Sequence, residues 1–291
     1  MTLTATALLV IVASSLGWGG FDALRKTLAS RIPALPLTAL LTSGQLVLFV
    51  GWLLAGAEHR VTLGYALPGG IAIAINLTAS VLFIKAVQVS PLSLTIPLLS
   101  FTPVFSTLFS AALLGEWPRP LQLAGIGVAV LGALVLNLGG SVPLRESLRA
   151  FARERGCLYM LCVAVLWSVG AVVDKAALFH ASPAVHAAAQ CAGITALLLL
   201  MLARKGRLAE LRGLRAVPWT YLAAITAASL GLALQLLALR MALVGVVETI
   251  KRAIGMTLSL VNGRLFFHEP VTHGKLAGVA LLAAAVALIL A

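Results

Sequence analysis

Charged side chains are scarce in this sequence. Only 10% of its 291 residues are Asp, Glu, Lys or Arg, whereas 61% are hydrophobic. Soluble globular proteins have about 25% charged and about 45–50% apolar residues. A soluble fold of this length has no interior large enough for so much apolar surface. The composition therefore excludes a soluble protein and predicts one that uses the lipid bilayer as its solvent.

Signatures of metal sites and of enzymes are also lacking. Cys157, Cys162 and Cys191 lie in or beside apolar stretches, and their spacing fits no zinc site. The sequence contains no His-Glu-x-x-His, Gly-x-Ser-x-Gly or Walker-type motif. We therefore predict no enzymatic activity, no metal and no cofactor. Without a nucleotide site, hydrolysis within this chain cannot drive transport.

Long apolar stretches occupy almost the whole chain instead. A membrane-spanning helix needs about 20 apolar residues. Ten stretches meet this requirement: 4–23, 34–56, 65–88, 91–114, 120–139, 156–179, 183–203, 217–240, 244–267 and 273–290. We divide the chain into a first five-span repeat (1–140), a basic linker (141–155) and a second five-span repeat (156–291). Because five is odd, the second repeat crosses the membrane in the opposite sense. The predicted fold class is an all-α membrane protein with ten transmembrane helices in two inverted repeats, as in carriers that alternate between two faces.

Matched residues in the same order support the repeat. Trp18 precedes Lys26 by eight residues in span one, as Trp167 precedes Lys175 in span six. Each of spans four and nine is followed by a glutamate and, nine residues later, by the glycine of a Leu-Ala-Gly triplet; these residues are Glu116 and Gly125, and Glu269 and Gly278. Lys85 near the end of span three has its counterpart in Arg240 of span eight.

These matched motifs resemble the EamA-like ten-helix members of the drug/metabolite transporter superfamily. The stretches from Pro103 to Glu116 and from Ile250 to Glu269 resemble the same family. The resemblance covers nearly the whole chain. It implies two inverted five-helix repeats around a central cavity, which spans one, three, four, six, eight and nine line. It also implies transport of amino acids or related metabolites.

Basic residues accumulate in alternate connections between the spans. Fifteen Lys and Arg residues fall on the side of the linker and only four on the side of the termini. Basic loops stay in the cytoplasm, so we predict that both termini lie outside. Because the positive charge lies in loops that flank the membrane, we expect no nucleic-acid partner. The high Ala, Leu and Arg content favours a bacterial inner membrane.

Span nine carries the best candidates for a substrate site. Glu248, Arg252, Ser259 and Asn262 share one helical face, which Lys251 borders. A charge at the bilayer centre costs about 2.5–3.5 kcal/mol, so such residues face protein or water. We predict that Lys251 and Arg252 bind an anionic or zwitterionic solute, and that Glu248 is the candidate group for proton coupling. The alternative is a local Glu248–Arg252 ion pair, with Lys251 extending toward the membrane surface.

Further candidates lie in the other spans predicted to line the cavity. Pro97 and Pro103 interrupt span four, which also contributes Ser100; this fits a broken helix at the substrate site or a kink that shapes packing. Four more side chains fit either a cavity role or helix packing, namely Trp18, Trp167, Asn76 and Gln235. Six charged residues are predicted at helix ends or at gates: Lys26, Lys175, Glu116, Glu269, Lys85 and Arg240.

Together these features predict a secondary transporter, an exporter or exchanger of small organic metabolites such as amino acids or other carboxylate- or phosphate-bearing solutes. Membrane lipids and the solute are the expected partners. Two alternatives stay open: a carrier or flippase of an amphiphilic or lipid-linked substrate, and a membrane scaffold that transports nothing.

Overall fold

The computed structural model describes residues 3–90, 95–138, 154–267 and 272–291. These residues form ten α-helices, each within or near one of the ten apolar stretches. They are α1 (Ala5–Ala29), α2 (Ala34–Leu54), α3 (Ala66–Val89), α4 (Thr102–Leu114), α5 (Pro120–Leu138), α6 (Arg155–Leu178), α7 (Pro183–Arg204), α8 (Pro218–Met241), α9 (Val244–Phe267) and α10 (His273–Leu290). Three 3-10 segments join them, at Leu63–Tyr65, Ile96–Phe101 and Leu208–Ala216. One isolated bridge between Val61 and Ala181 is the extended pairing in the described part of the chain.

Seven of the helices are long and apolar enough to cross a membrane: α1, α2, α3, α6, α7, α8 and α10. Shorter apolar helices occur at Leu98–Leu114 and Pro120–Leu136. The α9 helix has 24 residues but includes charged side chains. The chain is therefore an all-α, multi-pass membrane protein.

Turn and cap residues set the ends of the helices. Hydroxyls of Thr4, Ser182 and Thr272 accept backbone N–H groups in the first turns of α1, α7 and α10. Gly115, with φ of 68°, ends α4 in the left-handed conformation that suits glycine. Gly206 follows the end of α7 with φ of 64°. These residues therefore fix where α1, α4, α7 and α10 begin or end.

The extensive helix contacts pair elements from opposite halves. α3 packs on α6 and α1 packs on α8; α2 packs on α7, α4 on α9 and α5 on α10. Exchanging the two halves converts the α3–α6 contact into the α8–α1 contact and leaves the other three pairs in place. The packing thus follows the pattern expected of an internal repeat.

The matched Leu-Ala-Gly triplets have a packing role. A Cβ atom on Gly125 of α5 would lie 2.9 Å from the carbonyl oxygen of Ala285, and one on Gly278 of α10 would lie 2.7 Å from Cα of Leu136. Both distances are shorter than non-bonded atoms allow, so only glycine permits α5 and α10 to approach this closely. Small residues have this use in membrane helix pairs generally.

Connections gather at two opposite ends of the bundle, which we call face A and face B. Face A holds the α2–α3, α4–α5, α6–α7 and α8–α9 connections; there the backbone N–H of Thr62 donates to the carbonyl of His180 over 2.8 Å. Face B holds the α1–α2 and α7–α8 connections, the end of α3 and the start of α6. There Gln88 donates to the carbonyl of Ala29 over 3.1 Å, and Ser90 donates to Glu154 over 2.7 Å.

Candidate functional site

The fourth helix begins at a helix break, where a 3-10 segment changes into an α-helix. Its first residue, Thr102, follows the 3-10 segment Ile96–Phe101, and Pro103 stands in its first turn. Pro103 has no N–H to offer the carbonyl of Leu99, and the Thr102 hydroxyl donates to that carbonyl instead over 2.8 Å. The carbonyl of Thr102 itself accepts the hydroxyl of Ser168 from α6 over 3.2 Å. Hydroxyl groups of Thr102 and Ser168 thus bond the two carbonyls at this break, one from the same segment and one from α6.

A cation from the second half of the chain reaches this break. Nη2 and Nε of Arg252, on α9, donate to the hydroxyl oxygen of Thr102 over 3.1 and 3.3 Å. Spans four and nine, which the repeat relates to each other, therefore meet through these two side chains. This contact joins the two halves within the bundle.

Lys251 pairs with Glu248, so the Glu248–Arg252 ion pair offered as an alternative is wrong. The Lys251 ammonium donates to Glu248 and, over 3.0 Å, to the side-chain oxygen of Gln235 on α8. Glu248 is buried, and the Lys251 side chain is 19% exposed. The i,i+3 spacing of Lys251 and the i,i+4 spacing of Arg252 both allow contact with Glu248. Because Lys251 also bonds Gln235 on α8 and Arg252 bonds Thr102 on α4, Lys251 is the residue that pairs with Glu248.

Arg25 is a buried cation that the sequence did not single out. Counted among the basic residues that flank the membrane, it is only 4% exposed. Its guanidinium lies 3.7 Å from the ring centre of Phe83 on α3, 4.8 Å from that of Phe21 and 5.7 Å from that of Trp167 on α6. Such cation–π contacts are worth about 2 kcal/mol or more when water is excluded. Trp167, a predicted cavity residue, therefore contacts a basic side chain of the protein.

Asp22 neutralises Arg25 from one turn earlier on α1. Its Oδ1 accepts Nη2 of Arg25 at 2.5 Å, yet the Asp22 side chain is 53% exposed. Contacts through α6 link Arg25 to Arg252, because Arg25 lies over Trp167 and the next residue, Ser168, donates to the carbonyl of Thr102, whose hydroxyl accepts Arg252. The three cations Arg25, Lys251 and Arg252 and the carboxylates of Asp22 and Glu248 therefore form one group, which we call the central charge cluster.

Other predicted site residues lie near this cluster or outside the described part. Within the described residues, Nε1 of Trp18 and the hydroxyl of Ser100 are buried without a hydrogen-bond partner. Trp18 packs edge-on against Phe21, with ring centres 5.8 Å apart. The side chains of Ser259 and Asn262 are outside the described residues.

A second polar group lies at face A and joins the two halves. The Glu116 carboxylate forms an ion pair with the Lys175 ammonium, and both side chains are 13% exposed or less. Glu116 also accepts the backbone N–H of Val244 over 3.0 Å, and Lys175 donates to the carbonyl of Ala242 over 2.7 Å. This face-A lock ties the α4–α5 connection of the first half to α6 and to the α8–α9 connection of the second half.

Beside the lock lies a depression of about 190 Å³, which Arg60, Lys175 and Arg240 line with two apolar residues. Arg60 and Arg240 both approach the exposed carboxylate of Glu58, at 3.5 and 4.0 Å. Of the remaining predicted gate residues, Lys26 and Lys85 are exposed at face B, and Glu269 is outside the described residues.

A buried polar cluster around Asp174 was also not singled out by the sequence analysis. Asp174 is only 3% exposed. Its Oδ1 accepts Gln190 over 3.0 Å and Asn76 over 3.4 Å, and lies 3.2 Å from Nε2 of His186. The hydroxyl of Tyr65 lies 2.9 Å from the other ring nitrogen of His186. Asn76 therefore links α3 to α6, as the packing interpretation of this residue expects.

Comparison with known proteins identifies the family. The model of the EamA-like transporter family matches residues 5–138 and again residues 154–291. A crystal structure of another protein superposes with a TM-score of 0.72, covering 98% of this chain and 96% of that one at 21% identity, so it shows the same fold. A search of curated proteins found no match. Because the family model covers both halves of the chain, this protein belongs to the EamA-like transporter family, whose members move small molecules across membranes.

Proposed function

We propose that this protein is a secondary carrier, an exporter or exchanger of small organic metabolites that bear a carboxylate or phosphate group, amino acids among them. All ten helices would cross the membrane as two inverted repeats. The contact between Arg252 and Thr102 carries the proposal. It brings a cation of one half to the broken helix of the other, and interrupted helices at matched places are where such carriers bind solutes.

Exposure of Asp22 supports a hydrated cavity at this point. Asp22 lies seven residues, or about 10 Å, before the end of α1. A carboxylate that faced lipid at that depth would cost several kcal/mol. Its exposed surface therefore faces water, and the residue is nearer to face B than to face A. An anionic group of the solute would enter there and meet Arg252.

Alternating access requires that the two faces open in turn. Within the described residues, the face-A lock holds one mouth shut through an ion pair between the halves. The repeat relates Lys175 to Lys26 and Glu116 to Glu269, so Lys26 and Glu269 would close face B in the opposite state. With face B in the cytoplasm of a bacterial inner membrane, the described state opens inward.

The pairing of Glu248 bears on the energy source. Glu248 is buried, and its carboxylate forms an ion pair with the Lys251 ammonium. Any use of Glu248 in coupling would have to break that ion pair in each cycle. Exchange of one solute for another fits this arrangement better than proton coupling.

Flux through proteoliposomes tests the proposal. A thermal-shift screen of metabolites first finds a solute that stabilises the purified chain, and counterflow of that solute is then measured. Loss of a charged hydrogen bond costs about 1.5–3 kcal/mol, so Arg252→Gln should reduce the apparent affinity roughly 10- to 150-fold. Arg212→Gln removes an exposed cation of the α7–α8 connection and should leave flux unchanged.

Three results would count against the proposal. Equal flux in the Arg252→Gln and Arg212→Gln proteins would remove Arg252 from the site. Absence of flux for every stabilising solute, in wild type as well, would favour a scaffold. A stabilising effect confined to lipid-linked compounds would instead favour a flippase.

A further inference from the structure

The central charge cluster has one more cation than it has carboxylates, so its charge can be balanced by one bound anion. Among the described residues it combines three cations with two carboxylates. Glu248 is bonded to Lys251 and Asp22 to Arg25, so each carboxylate already has a cation of its own. Arg252 donates to a neutral hydroxyl, that of Thr102. The cluster therefore holds one positive charge without a bonded carboxylate.

The two carboxylates differ in their access to an incoming solute. Glu248 is 3% exposed, whereas the side chain of Asp22 is 53% exposed. Asp22 is thus the negative group that a solute meets as it approaches Arg252. Arg25 cannot easily release it, because the guanidinium is enclosed by Phe21 and Phe83.

We propose that Asp22 is a specificity-determining residue that restricts the site to solutes with a single monovalent oxyanion group. The inference rests on the proposed anion site at Arg252. A carboxylate or a monovalent sulfate or phosphate ester takes the one available positive charge. A second negative charge on the same solute finds no further unpaired cation within the central charge cluster, as far as the described residues show, and is repelled by Asp22.

Two small anions that differ by one charge provide the test. Sulfate and methyl sulfate have the same oxyanion core and keep their charges of −2 and −1 at neutral pH. Their apparent dissociation constants are measured from the thermal stability of the full chain in a neutral detergent at constant ionic strength. The quantity that decides is the ratio of the two constants, because effects on stability alone cancel from it.

Wild type should bind methyl sulfate at least as tightly as sulfate. Removing a nearby carboxylate should improve binding by about tenfold for each negative charge on the ligand, which is about 1.4 kcal/mol per charge. Asp22→Asn should therefore shift the ratio about tenfold in favour of sulfate. Asp22→Ser carries the same expectation if the asparagine protein does not fold, and Asp22→Glu should keep the wild-type ratio.

Matched variants separate the possible outcomes. Glu58→Gln makes the same change in net charge on face A and should leave the ratio unchanged. If both anions bind, Arg252→Gln abolishes their binding and Asp22→Asn leaves the ratio as in wild type, the role of Asp22 is refuted and the proposed carrier site stands. If neither anion stabilises any variant, or if Arg252→Gln binds like wild type, the anion site itself is wrong, and the inference about Asp22 is refuted with it.

Discussion

The face-A lock gives a prediction about which mouth is open. Glu116→Gln removes the negative charge of the lock but keeps the shape of the side chain. Lys175 then retains its bond to the Ala242 carbonyl and loses its ion pair. Lys175 is only 12% exposed in the closed arrangement, and water replaces the lost partner only when face A opens. The substitution should therefore destabilise the closed state relative to the open one.

A magnitude follows from the contacts. A hydrogen bond to a charged group contributes about 1.5–3 kcal/mol, and 1.4 kcal/mol changes an equilibrium tenfold. Complete loss of a partner from a fully buried pair costs about 3–5 kcal/mol, but here both side chains are slightly exposed and a neutral amide remains. We expect the population open at face A to rise roughly 10- to 100-fold.

Alkylation of a buried cysteine measures this population. Ser110 lies on α4, six residues before Glu116, and is 1% exposed. In a chain with its three native cysteines replaced, Ser110→Cys should react slowly with a membrane-impermeant maleimide applied at face A. Adding Glu116→Gln should raise the rate at least tenfold. A cysteine at the exposed position Arg119 reports the orientation of the protein in the vesicles.

Two comparisons make the test specific. Glu58→Gln removes another carboxylate of face A and should not change the alkylation rate. Lys26→Gln weakens the repeat-related closure of face B and should lower the rate, because it disfavours the state that is open at face A. An unchanged rate in Glu116→Gln, or a rise in Lys26→Gln, would refute the assignment of these residues as gates.

Three further predictions concern stability and ionisation. A Cβ atom on Gly17 would lie 2.9 Å from the backbone of α8, so Gly17→Val should destabilise the protein by about 1–3 kcal/mol in thermal unfolding. The control Gly20→Val should cost less, because no atom lies within 4 Å of a Cβ atom on Gly20. Equal losses in the two variants would contradict the close α1–α8 approach. Asp174→Ala leaves two buried side chains and one half-buried amide without this partner and should cost about 3 kcal/mol or more, and full stability in the same assay would show that the cluster is dispensable. On face B a hydrogen bond from Arg207 lowers the pKa of Glu210 below its ordinary value. This pair therefore stabilises the connection at neutral pH and loses its effect as the pH falls through the lowered pKa. NMR titration should show the Glu210 pKa rising in Arg207→Gln, and no change would exclude the bond in solution.

Membrane class and helix order were predictable because they depend on local composition. Apolar length alone indicated the positions of the helices, including the short α4 that follows the break near Pro103. Two of the repeat matches also acquired physical reasons. Gly125 and Gly278 allow close α5–α10 packing, and Glu116 lies at a helix end where it meets Lys175.

Side-chain partners were less predictable because they come from distant parts of the chain. Arg25 looks like any basic residue near a membrane surface; only Phe21, four residues earlier, hints at its burial, and Phe83 and Trp167 come from other helices. His186 and Gln190 share one face of an apolar helix, and that i,i+4 polar pair was a usable signal for a buried acceptor. The sequence could not show that this acceptor is Asp174, because that depends on how α6 packs against α7.

Symmetry and asymmetry are divided between the gates and the site in a way that suits a carrier. The packing glycines and the proposed gate residues recur in both halves, as expected if each half makes the same closure in its own turn. The central charge cluster does not recur: the second half supplies Lys251 and Arg252, and the first supplies the broken helix at Thr102. A solute with one charged end has no twofold symmetry, so an identical pair of binding surfaces would leave one of them unmatched. Divergence of the two repeats at the proposed site, with retention of the proposed gate residues, is therefore what the proposed transport of a singly charged metabolite would require.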